Sequence, residues 1–297
     1  MFSEYEIKKQ ICEIGKRIYQ NGFVAANDGN ISVRINDKEV LCTPTGVSKG
    51  YMTPDMICKV DMNGNVLQAN GKFKPSSEVK MHLRVYKERP DVKSVVHAHP
   101  PYGTSYAIAG IPLDKPIMPE AVIALGAVPI AEYGTPSTEE IPDAVAKYLQ
   151  CYDAVLLENH GALTYGPDLM AAYFKMESLE FYAKLMFISS QIGQPQVLDN
   201  TQVDKLIDIR KAMIKGARTL DEIKEMTGAA TGCGRCADEI EKILASVCGC
   251  YNVSLKDVVD AVNNGCDTVD KVAEVTKAGA ACGRCKALVQ NVIDTKR

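Results

Sequence analysis

The sequence lacks any apolar run long enough to cross a membrane, and neither sign of charge predominates. A membrane-spanning helix needs about 18 or more continuous apolar residues, whereas the most apolar stretch, AVIALGAVPIA, is shorter and is broken by glycine and proline. The 34 basic and 37 acidic residues give a net charge of −3. This balance provides no electrostatic basis for binding nucleic acid or an anionic membrane surface. We therefore expect an ordinary globular protein.

The sequence also shows no sign of a signal peptide, a disulfide framework or a glycine-rich nucleotide-binding loop. The first segment, MFSEYEIKKQICEIGKR, carries charges where a signal peptide needs an apolar core, and this favours a cytoplasmic location. The 11 cysteines are an odd number, which argues against a disulfide framework in a chain without a secretion signal. No glycine-rich nucleotide-binding loop is present.

Histidine is scarce, and its distribution is opposite to that of cysteine. The four histidines lie between His82 and His160, whereas seven of the 11 cysteines lie between Cys233 and Cys285. Aromatic residues also become rare after position 187. These changes coincide with SQIGQPQVLDNTQ, which has the composition of a linker. The sequence therefore predicts two domains, residues 1–190 and 204–297, joined by a linker at 191–203.

Helical and strand patterns mix in the first domain without regular alternation. Helical spacing predicts helices at residues 4–21, in SSEVKMHLRVYKE, in STEEIPDAVAKYLQ and in PDLMAAYFKMESLEFYAKLMFI. Strands are predicted in NISVRI, EVLCTP and DVKSVVHAH, and as a pair in AVLLENHGALTYG. Ser76 or Ser77 is predicted as one helix N-cap, and Ser137 with Glu140 as a capping box. We expect an α+β domain with α/β/α layers.

Two of the four histidines stand one residue apart at the end of a predicted strand, in SVVHAHPP. Side chains at positions i and i+2 of a strand share a face, so His97 and His99 project together and can bind one metal ion. A catalytic zinc commonly has three protein ligands, and the third is most simply His160 in ENHGA. The alternative is two ordinary polar residues on a half-buried strand, but their pairing in a histidine-poor chain favours metal binding.

Glu78 lies in the first turn of a predicted helix, where N–H groups favour a carboxylate. That preference is by itself a sufficient explanation of its position. His82 lies four residues on, on the same helix face, and we expect it to support the site or to pack rather than to bind the metal.

Small polar residues cluster in NDGNIS, TPTG and KPSSE. Glycine lets backbone N–H groups approach a ligand, and helix N-termini bind phosphate. Each cluster alone is typical of a turn or a cap, but three in one domain predict phosphate binding.

In order, GNISVR, TPTG, SSE, VVHAHP, MPE…LG.VP.A.Y.TP and NHGALTYG resemble the class II aldolase/adducin family, and especially its fuculose-phosphate-aldolase-like enzymes, over about residues 5–188. The resemblance implies a mostly antiparallel central sheet flanked by helices, and a homo-oligomer, usually a tetramer. It implies a divalent metal, usually Zn²⁺, on His97, His99 and His160, with Glu78 as the catalytic acid/base. The positions implied to bind substrate phosphate are Gly29, Asn30, Thr45, Gly46, Ser76 and Ser77.

The activity implied is that of a lyase in carbohydrate metabolism, which cleaves a small ketose 1-phosphate reversibly to dihydroxyacetone phosphate and an aldehyde. One departure concerns the tyrosine that donates a proton from a neighbouring subunit in fuculose-phosphate aldolase, because this region reads Met118, Pro119, Glu120. A ribulose-phosphate 4-epimerase or a methylthioribulose-phosphate dehydratase is therefore the enzyme alternative. An adducin-like scaffold would not need the histidines and Glu78, and a chain that mainly carries electrons would bind no phosphate.

The cysteine-rich part contains a repeat, since GARTLDEIKEMTGAATGCGRC aligns with GCDTVDKVAEVTKAGAACGRC at an offset of 49 residues. Each copy is predicted as helices around a glycine-rich CGRC loop, which gives a small all-α domain of two repeats, 204–246 and 247–297. The C-x-C and C-x-x-C pairs of the second copy supply four thiols, which can hold structural zinc or an iron–sulfur cluster, and spacing alone does not separate these. They are Cys248, Cys250, Cys282 and Cys285.

This C-x-C and C-x-x-C pattern resembles the bacterioferritin-associated-ferredoxin-like domain and implies a [2Fe–2S] cluster on these four cysteines, with zinc as the rival. Cys233 and Cys236 are possible additional ligands, and an alternative set joins them to Cys248 and Cys250. We expect Cys266 to pack as a small hydrophobic residue. Because aldol cleavage transfers no electrons, the expected role of the module is regulatory, as a redox or iron sensor, or structural.

Overall fold

The computed structural model describes residues 3–199 continuously and, beyond them, residues 203, 206, 208–209, 211–213, 215–228, 241, 244–248, 251, 253–280 and 285–296. The chain divides into two compact units, Met1–Val197 and Leu198–Arg297. The division falls inside the segment predicted as the linker. In the described part of the chain, no helix has both the length and the apolar character needed to cross a membrane.

The first unit contains six α-helices and eight strands among its described residues, and two short 3-10 helices at Lys49–Tyr51 and Pro54–Met56. The α-helices are α1 (Glu4–Gln20), α2 (Val79–Glu88), α3 (Pro101–Ala109), α4 (Pro119–Ala124), α5 (Glu140–Ala146) and α6 (Leu169–Ile192). The strands are β1 (Asn30–Arg34), β2 (Glu39–Cys42), β3 (Cys58–Asp61), β4 (Val66–Gln68), β5 (Ser94–Ala98), β6 (Ile130–Ala131), β7 (Ala154–Leu157) and β8 (Gly161–Gly166).

The eight strands form one sheet in the order β4-β3-β2-β1-β5-β8-β7-β6. All neighbouring pairs are antiparallel except β6 and β7. Strands β5 and β8 lie side by side at the centre, with Ala98 opposite Ala162. The predicted mixed fold with a central, mostly antiparallel sheet is confirmed.

Buried apolar side chains cover both faces of this sheet. Residues of α1, α3 and α6 pack on one face in a cluster that includes Val96, and residues of α2 and α5 pack on the other in a cluster that includes Val95. Neighbouring positions on β5 therefore face opposite layers, as the pleat requires. His97 shares the face of Val95, and it points towards the layer that contains α2.

Two predicted helix starts are wrong. Helix α2 has Glu78 as its N-cap and no side-chain capping bond, although Ser76 or Ser77 was expected there. The preceding segment instead pairs with the TPTG loop, because the Ser76 N–H donates to the Thr43 carbonyl at 3.1 Å. Helix α5 likewise begins at Glu140 without a capping box.

In the second unit the structure describes helices α7 (Leu220–Thr227), α8 (Leu255–Asn263), α9 (Val269–Thr276) and α10 (Lys286–Thr295). Helices α7 and α9 are equivalent in the two repeats, since their starts and their ends differ by the same 49 residues. Each begins at a threonine N-cap, Thr219 or Thr268. A short antiparallel pair, β9 (Ser246–Cys248) and β10 (Val253–Ser254), was not predicted; it begins at the boundary of the repeats and lies mostly in the second.

Candidate active site

The three predicted metal ligands meet at one edge of the sheet. His97 is the fourth residue of β5, and His99 follows the strand directly. His160 lies in the tight turn between β7 and β8, immediately before β8 begins. Because β5 and β8 are antiparallel neighbours, the end of one lies beside the start of the other. The sheet thus brings together side chains that are 61 to 63 positions apart in the sequence.

The imidazole geometry fits a divalent metal ion. The Nε2 atoms of His97 and His99 are 3.1 Å apart, and the ligand nitrogens of all three histidines lie within 4.8 Å of one another. Nitrogens bound to one tetrahedral zinc at about 2.0–2.1 Å are roughly 3.3 Å apart, so small ring movements would complete the site. The three ring centroids lie 4.7–5.1 Å from one another, and the rings are tilted rather than stacked.

Burial keeps two of these rings neutral, as metal ligands must be. The pKa of His97 is lowered well below its ordinary value by burial, against the charge of Glu78. The pKa of His99 is also lowered by burial. The Nδ1 of His97 lies 2.9 Å from the Ala162 carbonyl, and a proton on Nδ1 leaves the Nε2 lone pair free. In the same way, Nδ1 of His99 lies 3.6 Å from a carboxylate oxygen of Asp28.

Glu78 lies directly beside the imidazoles. Its Oε1 is 3.2 Å from Nε2 of His160, and its Oε2 is 3.6 Å from Nε2 of His97. The side-chain N–H of Asn30 donates to Oε2 at 2.8 Å. Burial raises the pKa of Glu78, but the hydrogen bond with His160 and the electrostatic interaction with the surrounding imidazoles outweigh it and lower that pKa to about 2. The group is therefore a carboxylate at neutral pH.

His82 does not belong to the group of converging rings. It is fully buried on α2, and its Nδ1 lies 2.7 Å from the Ser32 hydroxyl, which lies 2.7 Å from the Tyr86 hydroxyl. Burial lowers the pKa of His82 to about 3, against the charge of Glu78. This network lies under the first turns of α2 and helps to fix the helix that carries Glu78.

The three polar loops lie around Glu78. Gly29 has a φ of +73°, and a β-carbon there would lie 2.9 Å from the His97 carbonyl, so only glycine lets this loop lie against β5. The Thr45 N–H donates to the Lys74 carbonyl at 2.9 Å, which joins the second loop to the third. Of the six predicted phosphate-binding residues, Asn30 is buried against Glu78, Gly29 and Ser76 are half-buried, and the exposed ones are Thr45, Gly46 and Ser77.

Sequence reasoning missed Asp28 and Lys49. Asp28 lies within NDGN and could have been singled out by its place next to Gly29. Lys49 follows TPTG, and nothing in the sequence indicates that it is buried, with only 1% of its surface exposed. Its ammonium group donates at 2.8 Å to the Asn27 carbonyl and at 2.8 Å to the Val47 carbonyl.

In the second unit, Cys285 is buried, and its sulfur accepts the Gly279 N–H at 3.1 Å. Cys266 packs against the apolar cluster of this unit, as expected. For Cys248 only the backbone on β9 is described. The remaining predicted thiolates lie outside the described residues: Cys233, Cys236, Cys250 and Cys282.

Sequence comparison defines both parts of the chain. Residues 9–187 match the family described as Class II Aldolase and Adducin N-terminal domain. Residues 206–246 and 246–295 each match the BFD-like [2Fe-2S] binding domain. The chain thus belongs to the class II aldolase and adducin family, whose aldolases depend on divalent metals, and carries two BFD-like repeats, which indicate a [2Fe–2S] site.

Curated relatives carry two different activities in their names. A 3-oxo-tetronate 4-phosphate decarboxylase from Pectobacterium atrosepticum is 34% identical over 190 residues, covering 63% of this chain and 86% of the relative. An L-fuculose phosphate aldolase from Methanococcus maripaludis is 33% identical over 183 residues, covering 62% of this chain and 97% of the relative. The family is therefore shared by enzymes of different reactions.

Solved structures of similar fold include an L-fuculose 1-phosphate aldolase. It has a TM-score of 0.63 and 32% identity, and the match covers 69% of this chain and 96% of that chain. A sugar-phosphate aldolase from Thermotoga maritima matches with a TM-score of 0.57 and 26% identity, over 64% of this chain and 97% of that one.

Proposed function

We propose that this protein is a metal-dependent lyase that cleaves a small ketose 1-phosphate, of the L-fuculose 1-phosphate type, reversibly to dihydroxyacetone phosphate and an aldehyde. The observation that carries the proposal is the convergence of three imidazoles beside an ionised carboxylate. We assign His97, His99 and His160 as the metal ligands and Glu78 as the acid/base. A divalent cation held there, Zn²⁺ in our proposal, supplies Lewis-acid stabilisation of negative charge on the substrate oxygens.

Glu78 can supply the proton that C3 gains when the C3–C4 bond of the substrate is cleaved. Breaking the C3–C4 bond leaves its electron pair on C3 of the phosphate-bearing fragment, as an enediolate, while the C4 hydroxyl becomes the aldehyde and loses its proton. The proton of the C4 hydroxyl passes to water, and Glu78 takes up one proton from water and delivers it to C3, so that the protons balance. In the resting site its oxygens face His160 and His97, and the Asn30 amide holds Oε2 at 2.8 Å. This hydrogen bond fixes the direction in which the carboxyl group delivers the proton.

The phosphate would bind in the polar loops. We assign its contacts to Gly29, Asn30, Thr45, Gly46, Ser76 and Ser77. The support is that these loops are joined to one another and adjoin Glu78. A phosphate fixed there would hold the carbon skeleton over the imidazoles, which lowers the entropic cost of the reaction.

Decarboxylation of a 3-oxo sugar-acid phosphate is the second candidate. Loss of CO₂ from 3-oxo-tetronate 4-phosphate also leaves its electron pair on the carbon next to the ketone, and protonation of that carbon again gives dihydroxyacetone phosphate. This reaction needs no base at a leaving aldehyde. It therefore suits a chain with Met118, Pro119 and Glu120 where fuculose-phosphate aldolase has its tyrosine, and curated relatives include such decarboxylases.

Both reactions release dihydroxyacetone phosphate, so the test must also measure the second product, which is an aldehyde for the aldolase and CO₂ for the decarboxylase. The zinc-loaded protein is incubated with L-fuculose 1-phosphate and, separately, with 3-oxo-tetronate 4-phosphate. Dihydroxyacetone phosphate is coupled to NADH oxidation, while aldehyde and CO₂ are measured independently. Aldehyde in equal amount supports the aldolase, and CO₂ in equal amount supports the decarboxylase. Activity that persists in a His97→Ala, His99→Ala variant would exclude the proposed site for either reaction.

For the second unit we propose a [2Fe–2S] cluster on Cys248, Cys250, Cys282 and Cys285, with a regulatory or structural role. Support comes from the repeated family match and from the buried Cys285, whose sulfur accepts the Gly279 N–H. Hydrogen bonds to the ligand sulfurs help to set the potential of such clusters. The absorption spectrum of anaerobically purified protein distinguishes the cluster from zinc. If cluster removal changes neither activity nor assembly, the regulatory role fails.

We further propose that residues 1–190 and 204–297 are separate domains, that the protein acts in the cytoplasm, and that it forms a homo-oligomer, a tetramer by family resemblance. Light scattering after size-exclusion chromatography measures the assembly. A monomer that is fully active would contradict the tetramer.

A further inference from the structure

Lys49 is a buried cation at the base of the polar loops. Lysine is rarely fully buried unless its charge is paired, yet only 1% of Lys49 is exposed. It begins the 3-10 helix Lys49–Tyr51, which packs against α1 where Gly15 allows close approach. A β-carbon at Gly15 would lie 2.8 Å from the Lys49 carbonyl. This close packing against α1 fixes the position of the Lys49 backbone.

The ammonium group joins two of the loops that we assign to phosphate. It donates at 2.8 Å to the carbonyl of Asn27, which opens NDGN, and at 2.8 Å to the carbonyl of Val47, which follows TPTG. The second loop is joined in turn to KPSSE through the Thr45–Lys74 backbone bond. A single side chain therefore connects the first loop to the other two.

The charge of Lys49 is not cancelled by a direct ion pair. Its hydrogen-bond acceptors are neutral carbonyls, and among the residues that the structure describes no carboxylate forms a salt bridge with it. Lys175, another buried lysine, shows the contrast, since its ammonium group lies 2.6 Å from a carboxylate oxygen of Asp153. Burial lowers the pKa of Lys49 to about 8, against the more distant charges of Asp28 and Glu78. The group is therefore still mainly a cation at neutral pH.

We propose that Lys49 is a positioning residue for the substrate phosphate: it holds the NDGN and TPTG loops in one arrangement and places a buried positive charge beneath them. A phosphate in those loops would face this charge across a short layer of backbone, where screening by water is weak. The inference rests on the phosphate site of the proposed function. Lys49 lies outside the sequence motifs from which the phosphate site was predicted.

Inorganic phosphate and Zn²⁺ are the two probes of the test, applied to the full chain. Lys49→Met removes the charge and both hydrogen bonds while it keeps an apolar stem of similar length. We expect it to weaken phosphate binding, measured by calorimetry, by about tenfold or more, and to leave Zn²⁺ affinity within about threefold of wild type. Lys175→Met is the matched control, because it also removes a buried ammonium group from this unit, and it should leave both affinities unchanged.

The outcomes are distinct. Unchanged phosphate affinity in a folded Lys49→Met protein overturns the inference alone, as does an equal loss in Lys175→Met or a parallel loss of Zn²⁺ affinity. Absence of phosphate binding in the wild type overturns the phosphate site of the proposed function together with the inference. Should Lys49→Met not fold, hydrogen exchange of the wild type decides. Phosphate should protect the amides of residues 27–30 and 45–50 together, and protection of only one segment refutes the inference.

Discussion

Gly161 offers a sharp test of the metal site, because the first residue of β8 lies against the imidazoles. A β-carbon at Gly161 would lie 2.6 Å from Cδ2 of His99, 2.6 Å from the Ala98 carbonyl and 3.3 Å from Cε1 of His97. Gly161 does not have a positive φ, so the Gly161→Ala substitution acts through this contact and not through backbone strain.

The magnitude follows from these distances. Ordinary van der Waals contact begins near 3.4 Å, so the added β-carbon must become about 0.8 Å more distant from both the His99 ring and the Ala98 carbonyl. Metal sites hold their ligand distances to within about 0.2 Å. We therefore expect Gly161→Ala to lower Zn²⁺ affinity by about 100-fold, or about 2.7 kcal/mol. The overpacked contact should also cost about 1–3 kcal/mol of stability.

Competition with a chromophoric chelator measures the Zn²⁺ affinity, and thermal unfolding with and without Zn²⁺ measures its effect on stability. The control is Gly166→Ala at the opposite end of the same strand. There a β-carbon would lie 3.0 Å from Cβ of Ala171 and 3.2 Å from the Ala172 nitrogen. This variant should lose stability and keep its Zn²⁺ affinity. If Gly161→Ala binds Zn²⁺ as tightly as the wild type, or if the two variants lose affinity equally, our account of the site is wrong.

Three other predictions concern Glu78, Ser32 and Lys49. Glu78→Gln should lower kcat by about 10²–10⁴-fold while Zn²⁺ affinity changes little, and steady-state kinetics with a parallel Zn²⁺ titration check both. Ser32→Ala leaves the buried Nδ1 of His82 without its partner and should cost about 1–3 kcal/mol in urea unfolding, whereas exposed Ser105→Ala should cost much less. The pKa of Lys49 is about 8 in the fold against 10.5 ordinarily, so the unfolded chain binds more protons between these values. The free energy of unfolding of the wild type, relative to that of Lys49→Met, should therefore rise with pH from 8 to 10.5. Denaturant unfolding of both proteins at several pH values measures this difference, and a constant or falling difference would contradict the prediction.

The periodic and strongly patterned parts of the fold could be predicted from the sequence. The first helix and the strand pair around ENHGA were expected and are present as α1, β7 and β8. Helix starts were harder to predict. The Ser76 hydroxyl accepts the Glu78 N–H at 3.4 Å, and the Ser76 carbonyl accepts the Val79 N–H at 3.1 Å. These bonds form a turn before α2, whose own N-cap is Glu78, so the serine acts locally but one turn early.

The residues of the candidate site were likewise predictable from the sequence only in part. His97 and His99 share one strand end, so their alternation predicted a common direction from sequence alone. The scarcity of histidine also indicated His160 as the third ligand, whereas only the resemblance to a known family gave Glu78 its role. That both side chains lie beside His97 and His99 depends on the pairing of β5 with β8 and on the packing of α2. Lys49 carried no local signal, because its burial results from the packing of α1 against the 3-10 helix.

The sequence by itself determined the two-part composition, the repeat of the cysteine module and the paired histidines, because periodicity and spacing act between near neighbours along the chain. The tertiary structure alone decided that Glu78 lies within 3.2 Å of His160 and that a buried lysine connects two polar loops. Such contacts join residues far apart in sequence. They exist because the antiparallel pairing of β5 with β8 and the packing of α1 and α2 on opposite faces of the sheet fix which distant side chains meet.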